Sequence, residues 1–142
     1  MRIRTVEFEE FFATVKNLQY QNTDIKESWD LGYKSPYDAF ERANSDWARF
    51  YMVKDRNVVV CAIMEQRNGT LIYFTTVDLL DSNFITYTKI IKKLLDDAIA
   101  TRGVMFVEVA NWYVKAKKFM KLLGLKPYHI KPRYQVWYKD GE

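Results

Sequence analysis

Between Thr70 and Val109 the hydrophobic period changes twice. Thr70–Val77 is rich in β-branched and aromatic residues and follows the turn Asn68-Gly69, so it reads as a strand. Residues 83–100 then place Phe84, Tyr87, Ile91, Leu94 and Ala98 along one helical stripe, with Ile90 and Leu95 beside it. Gly103 stops that helix, and Val104–Val109 is a nearly continuous apolar run, as expected of a central strand. Strand, helix and strand in this order predict two parallel strands joined by a right-handed crossover. Alternation fails at Asn111, so the two strands are expected to splay near Ala110.

The flanking segments fill in the rest. Arg2–Phe8 reads as a first strand, with Ile3, Val6 and Phe8 apolar. Glu9–Gln19 spaces Phe11, Phe12, Val15 and Leu18 as a helix, and Asn22–Gly32 is a weaker one. Ser35-Pro36 starts a third helix, with Ser35 as cap and Pro36 in the first turn. That helix carries Tyr37, Phe40 and Ala43 inward. Trp47–Lys54 and Val58–Glu65 are hairpin partners around Asp55-Arg56-Asn57. Lys115–Leu123 is a helix with Ala116, Phe119, Met120 and Leu123 inward and Lys115, Lys118 and Lys121 outward, capped by Gly124. Tyr128–Lys139 forms one or two strands broken at Pro132. The chain thus reads as α/β (α+β), one domain over residues 1–142. Its expected sheet is mixed and mostly antiparallel, about six to seven strands flanked by helices, with one parallel splayed pair.

Composition narrows the function. Apolar residues are 49% of the chain and aromatics 16%, enough for a packed core and too many for a disordered chain. No apolar run is long enough for a membrane span, and the acidic start MRIRTVEFEEF lacks a signal-peptide core. Cys61 is the single cysteine and sits in the apolar strand VVVCAIM, so it reads as a small buried residue. One Cys and one His (His129, read as incidental on a strand) do not build a metal site, so none is expected. A cytoplasmic setting follows, or a host cytoplasm or virion if the chain is phage-encoded. Residues 101–142 carry 9 Lys/Arg against 3 Asp/Glu. That basic third suits phosphate, nucleic acid or an acidic protein, or simply a solvated lysine face.

The element order resembles the GNAT, or acyl-CoA N-acyltransferase, fold. The stretch VEVANWYVKAKKFMKLLGL, Val107–Leu125, resembles that family's second signature at Val107, Val109, Ala116, Phe119, Leu123, Gly124 and Leu125. Two functional positions differ. Tyr113 stands at the asparagine position, with Asn111 two residues earlier. Met120 stands where a tyrosine often serves as general acid, and a thioether cannot donate a proton. In the family's glycine-rich pyrophosphate loop, this chain has Val77-Asp78-Leu79-Leu80-Asp81-Ser82-Asn83-Phe84-Ile85-Thr86-Tyr87, with Ser82 at the arginine position and Ile85 and Tyr87 at glycine positions. Bulky side chains are expected in the phosphate space, with Asp78 and Asp81 repelling an anion. A second resemblance, from Asp24 onward, is to the small GNAT-like internal virion (core) proteins of short-tailed phages. It rests on Gly32, Ser35-Pro36, the aromatic strand Tyr73–Thr76, and Asn111 through Lys121 and Gly124.

These resemblances imply a GNAT-fold protein degenerate in acetyl-CoA binding. Such a protein acts through protein contacts, in virion assembly or ejection or on a host target, with self-association possible. No cofactor is expected on this reading. The alternative is an active N-acetyltransferase using acetyl-CoA through an altered loop, and whether the chain is an enzyme stays open. A third reading is a nucleic-acid binder using the basic C-terminal helix, disfavoured because no reader motif is visible. If there is catalysis, the candidates are Glu108, Glu65 and Tyr113. If a cofactor binds, Val77, Asp78, Ser82, Asn83 and Asn111 are placed to hold it. The splayed opening is where the family holds its ligand. Around it, Leu79, Phe84, Tyr87, Trp112, Tyr113, Lys115 and Lys118 are the interface candidates.

Overall fold

The computed structural model describes residues 1–141. Seven strands form one sheet: β1 (Arg2–Val6), β2 (Ala48–Asp55), β3 (Val58–Gln66), β4 (Thr70–Thr75), β5 (Val104–Ala110), β6 (Lys126–Ile130) and β7 (Tyr134–Asp140). Their spatial order is β1-β2-β3-β4-β5-β7-β6, and only β4 and β5 run parallel. The helices are α1 (Phe8–Val15), α2 (Asn22–Asp30), α3 (Pro36–Ala43), α4 (Leu79–Ser82), α5 (Phe84–Arg102) and α6 (Val114–Leu122). The mixed, mostly antiparallel sheet with one parallel pair is the architecture expected from the sequence.

Local chemistry accounts for the boundaries. Ser35 Oγ accepts from the Asp38 N–H at 3.0 Å, and Pro36 opens α3 without losing a needed donor. Arg56 and Asn57 both have positive φ, 51° and 69°, which gives the β2–β3 turn a twist matching its strands. The short α4 is absent from the sequence reading. It forms because the Asp78 carboxylate accepts from the Asp81 N–H at 3.2 Å and caps one turn. As a result β4 ends at Thr75, short of the expected Val77.

Two cores sandwich the sheet. Under α5 and α6 lie Val53, Ile63, Leu95, Met105, Val107, Phe119 and Trp137. Under α1 and α3, Phe11 packs edge-on against Phe40 at 5.1 Å and tilted against Phe50 at 4.7 Å, above Met52, Met64 and Phe74. The helices α1 and α3 cover β2, β3 and β4 but contribute nothing over β7 and β6.

The parallel pair is brief. Thr70 pairs with Phe106 and Leu71 with Val107, and nothing beyond. β5 meanwhile stays in register with β7 as far as Ala110 opposite Tyr134. The splay therefore begins just after Val107, earlier than the sequence suggests. Its cause lies in α2, which reaches into the gap.

Candidate functional site in the cleft between the splayed strands

Where β4 and β5 part, each strand exposes backbone groups that have lost a ladder partner. The α2 segment supplies replacements. The Gln21 N–H donates to the Thr75 carbonyl at 3.0 Å, and the Thr75 N–H donates to Asp24 Oδ2 at 2.5 Å. The Thr75 hydroxyl donates to the same oxygen at 2.8 Å. On the other arm of the V, the Ala110 N–H donates to Glu27 Oε2 at 3.1 Å. One helix thus pins both strands through two carboxyl groups on residues that are only 4% and 6% exposed.

Burial sets the chemistry of that pair. It raises Asp24 to about 6, a shift moderated by the two hydrogen bonds from Thr75. It raises Glu27 further, to about 8, with the charge of Asp24 adding to the effect and the Ala110 N–H opposing it. At neutral pH Glu27 is mostly protonated. Tyr113 OH approaches Asp24 Oδ1 at 3.4 Å and Thr23 Oγ1 at the same distance. Burial also holds the Tyr73, Tyr87 and Tyr113 hydroxyls above their usual range, so all three remain phenols.

The floor of the V is filled. Tyr87 is 2% exposed, stacks on Phe119 at 5.5 Å and 11°, and brings its hydroxyl within 3.8 Å of Cys61 Sγ. Cys61 is fully buried and its thiol is pushed up by desolvation, which leaves it without thiolate character. The space left among Asp24, Glu27, Tyr73, Thr75, Tyr87 and Tyr113 is about 20 Å³, room for about one water.

At the mouth, Lys115 Nζ bridges Asp78 and Asp81, each at 2.8 Å. These hydrogen bonds hold Asp78 below its ordinary value and Lys115 above its own. The two aspartates expected to repel an anion are therefore paired with Lys115. Ile85 is 69% exposed and adds no bulk to the buried interior. Only Tyr87 fills the interior, because its position on α5 faces the core.

The other sequence candidates scatter. Val77, Asp78, Ser82 and Asn83 do lie together before α5, where Ser82 Oγ donates to the Asp78 carbonyl at 2.8 Å. Asn111 is spent elsewhere, donating its side-chain amide to the carbonyls of Lys131 and Pro132. Glu65 is buried against Arg102 Nε at 2.6 Å and Tyr51 OH at 3.2 Å, a structural ion pair away from the cleft. Glu108 is half-buried on the sheet face away from α5 and α6, raised by burial and opposed by Lys131. Of the interface candidates, Leu79 and Tyr87 are core residues and cannot meet a partner, because both face inward under α5 and α6. Phe84, Lys115 and Lys118 are exposed. Trp112 is a strut: it stacks on Tyr113 at 5.0 Å and 13°, lies under Lys26 Nζ at 4.6 Å, and donates Nε1 to Asp30.

Comparison of the sequence with protein-family models and with curated proteins finds no match. Solved structures do match in shape. Spermidine N-acetyltransferase from Vibrio cholerae, in complex with CoA and spermine, superposes with a TM-score of 0.67 at 12% identity, covering 98% of this chain and 94% of that one. The ribosomal-protein-S18-alanine N-acetyltransferase from Escherichia coli gives 0.69 at 10% identity, covering 98% and 92%. Campylobacter jejuni N-acetyltransferase PseH gives 0.59 at 11%, covering 99% and 98%. The chain has the GNAT fold. At these identities the likeness carries the fold and leaves the chemistry to the residues. Met120, the residue the sequence resemblance sets at the general-acid position, is buried and has no proton to give.

The decisive residues, Asp24 and Glu27, escape a sequence reading that looks for apolar stripes. A signal exists in hindsight: positions 24, 27, 28 and 31 share one helical face, and three of the four are polar. A weak helix with a polar inner face is one that meets unpaired backbone rather than a hydrophobic core.

Proposed function

We propose that this chain is a binding protein on the GNAT fold, whose acyl-CoA cleft is held closed by its own second helix, and that it acts through protein contacts. The observation that carries this reading is the double pin: Asp24 on the Thr75 N–H and Glu27 on the Ala110 N–H. A ligand entering the V has to displace both and find room where about 20 Å³ remains. Met120, at the position the resemblance gives to the family's general acid, has no proton to give. The contact surface is the mouth of the cleft, where Val77, Phe84, Ile85 and Val114 are exposed around the Lys115–Asp78–Asp81 bridge. Apolar anchors beside paired charges suit a protein partner. The resemblance to core proteins of short-tailed phages supports a partner in virion assembly or ejection, or in the host.

Calorimetric titration of acetyl-CoA tests this directly. The expected result is no binding tighter than about millimolar, worth roughly 4 kcal/mol. Micromolar binding would overturn the reading.

One observation favours the second reading, a working N-acetyltransferase. Glu27 titrates near neutrality at the apex of the V, the property a general base for an amine requires. Release of free CoA thiol in the presence of spermine or an alanine-terminated peptide, abolished by Glu27→Gln, would establish it.

A further inference from the structure

Lining the cleft leaves another part of the molecule unexplained. On the sheet face that points away from α5 and α6, α2 meets β5 only at its Glu108–Ala110 end; among the described residues no helix of either core packs over β7, β6 and the Phe106 end of β5. On that face stand Phe106 and Tyr138, directly opposite each other in register. Tyr128 sits at the bulge between Pro127 and His129, and its ring touches both, at 5.7 Å from Phe106 and 5.5 Å from Tyr138. Tyr128 is 65% exposed. Lys126 is opposite Tyr138 and therefore shares the face. Glu108 and Asp140 are the acids of this face by alternation, and Lys131 lies near enough to Glu108 to offset the effect of its burial.

The neighbourhood is built against protein strands and for a polyanion. All five residues of β6 are exposed along an open sheet edge. Pro127 removes a backbone donor, the bulge twists the edge, and lysines flank it, which are the usual devices that prevent a second strand from pairing. Two copies meeting here would oppose Lys126 and Lys131 to themselves. Residues 126–133 contain three basic side chains and no acidic one. The exposed Tyr128 ring and the half-buried Phe106 and Tyr138 rings beside it, flanked by cations, are suited to stacking bases while holding phosphates.

We propose that the bare face of β5, β7 and β6 binds single-stranded nucleic acid, with Tyr128, Phe106 and Tyr138 as the stacking platform and Lys126 and Lys131 on the backbone phosphates. This site is independent of the cleft and differs from a lysine-helix mode on α6. Two phosphate contacts imply a salt dependence of log affinity with a slope of about −1.5.

The test is fluorescence anisotropy with a labelled single-stranded oligothymidylate about 12 nucleotides long. Tyr128→Ala is expected to weaken binding roughly tenfold, Tyr128→Phe to preserve it, and the pair Lys126→Glu and Lys131→Glu to abolish it. Lys118→Glu with Lys121→Glu, on α6, is expected to change little. The proposal is overturned by absence of binding, or by loss of binding in the α6 pair while the β6 changes are silent. It is also overturned if a duplex binds equally and ignores Tyr128→Ala, or if sedimentation shows a protein dimer dissolved by Tyr128→Ala with no oligonucleotide bound. Should a β6 variant fail to fold, amide NMR shifts on the wild-type chain decide. Shifts clustered on β5, β7 and β6 support the site, and shifts on α6 refute it.

Discussion

Replacing Glu27 with glutamine isolates one carboxyl while keeping an acceptor for the Ala110 N–H. In the folded chain burial raises that carboxyl to about 8, against an ordinary value of 4.5 for an unfolded glutamate. Between the two values the folded state holds a proton the unfolded state has released. Stability from this group is therefore complete below the unfolded value and is lost as pH rises through the folded one. Asp24 has the same sign, but its folded value of about 6 confines most of its effect to more acidic conditions. From about pH 6.5 to about pH 8.5, Glu27 alone should remove about 2 kcal/mol from the wild type, or roughly 4–8 °C of melting temperature for a chain this size. The glutamine variant should lose none of this. Circular-dichroism melts of both proteins at three pH values across that range give the difference, in which other titrating groups cancel. Parallel curves for wild type and variant would refute the burial argument. A variant less stable at every pH would instead show that the amide does not fit the apex.

Two further substitutions probe the framework. Glu65→Gln removes the carboxylate that receives Arg102 and leaves a mostly buried guanidinium on the carbonyls of Gln66 and Arg67; urea unfolding should show a loss of about 3 kcal/mol, whereas a neutral result would mean water compensates there. Trp112→Ala removes the stack on Tyr113, the Lys26 contact and the Asp30 hydrogen bond together; it should cost about 2–3 kcal/mol, and an unchanged melt would show that the strut carries no load.

The fold was legible because its signals are local. The stripe of α5, the Ser35-Pro36 start and the turn at Arg56-Asn57 each act within a few residues, and each sets an element boundary. Even the parallel pair follows from the crossover rule. The cleft was not legible, because its contacts span the chain: Asp24 meets Thr75, and Glu27 meets Ala110. No periodicity marks a carboxylate that pairs with a backbone N–H so distant in sequence. The same limit explains Ile85 and Tyr87. Both stand at positions of the resembled loop where glycine is expected, yet the helical phase of α5 turns one to solvent and the other to the core.

That phase fills the apex of the cleft, where Tyr87 is buried, while the N-terminal turn of α5 has no side-chain cap and Ile85 there is exposed. At the apex, a ligand has to break the Asp24–Thr75 and Glu27–Ala110 bonds and leave two buried carboxyls to find new partners. Breaking the bond to the charged Asp24 costs about 1.5–3 kcal/mol, and leaving the mostly protonated Glu27 unsatisfied costs about 1–3 kcal/mol. Together these subtract about 2.5–6 kcal/mol from a micromolar affinity of about 8 kcal/mol. What remains, about 2–5.5 kcal/mol, corresponds to dissociation constants from about 0.1 mM to tens of millimolar. On the proposed reading, weak acetyl-CoA affinity is the outcome expected from the two hydrogen bonds of α2.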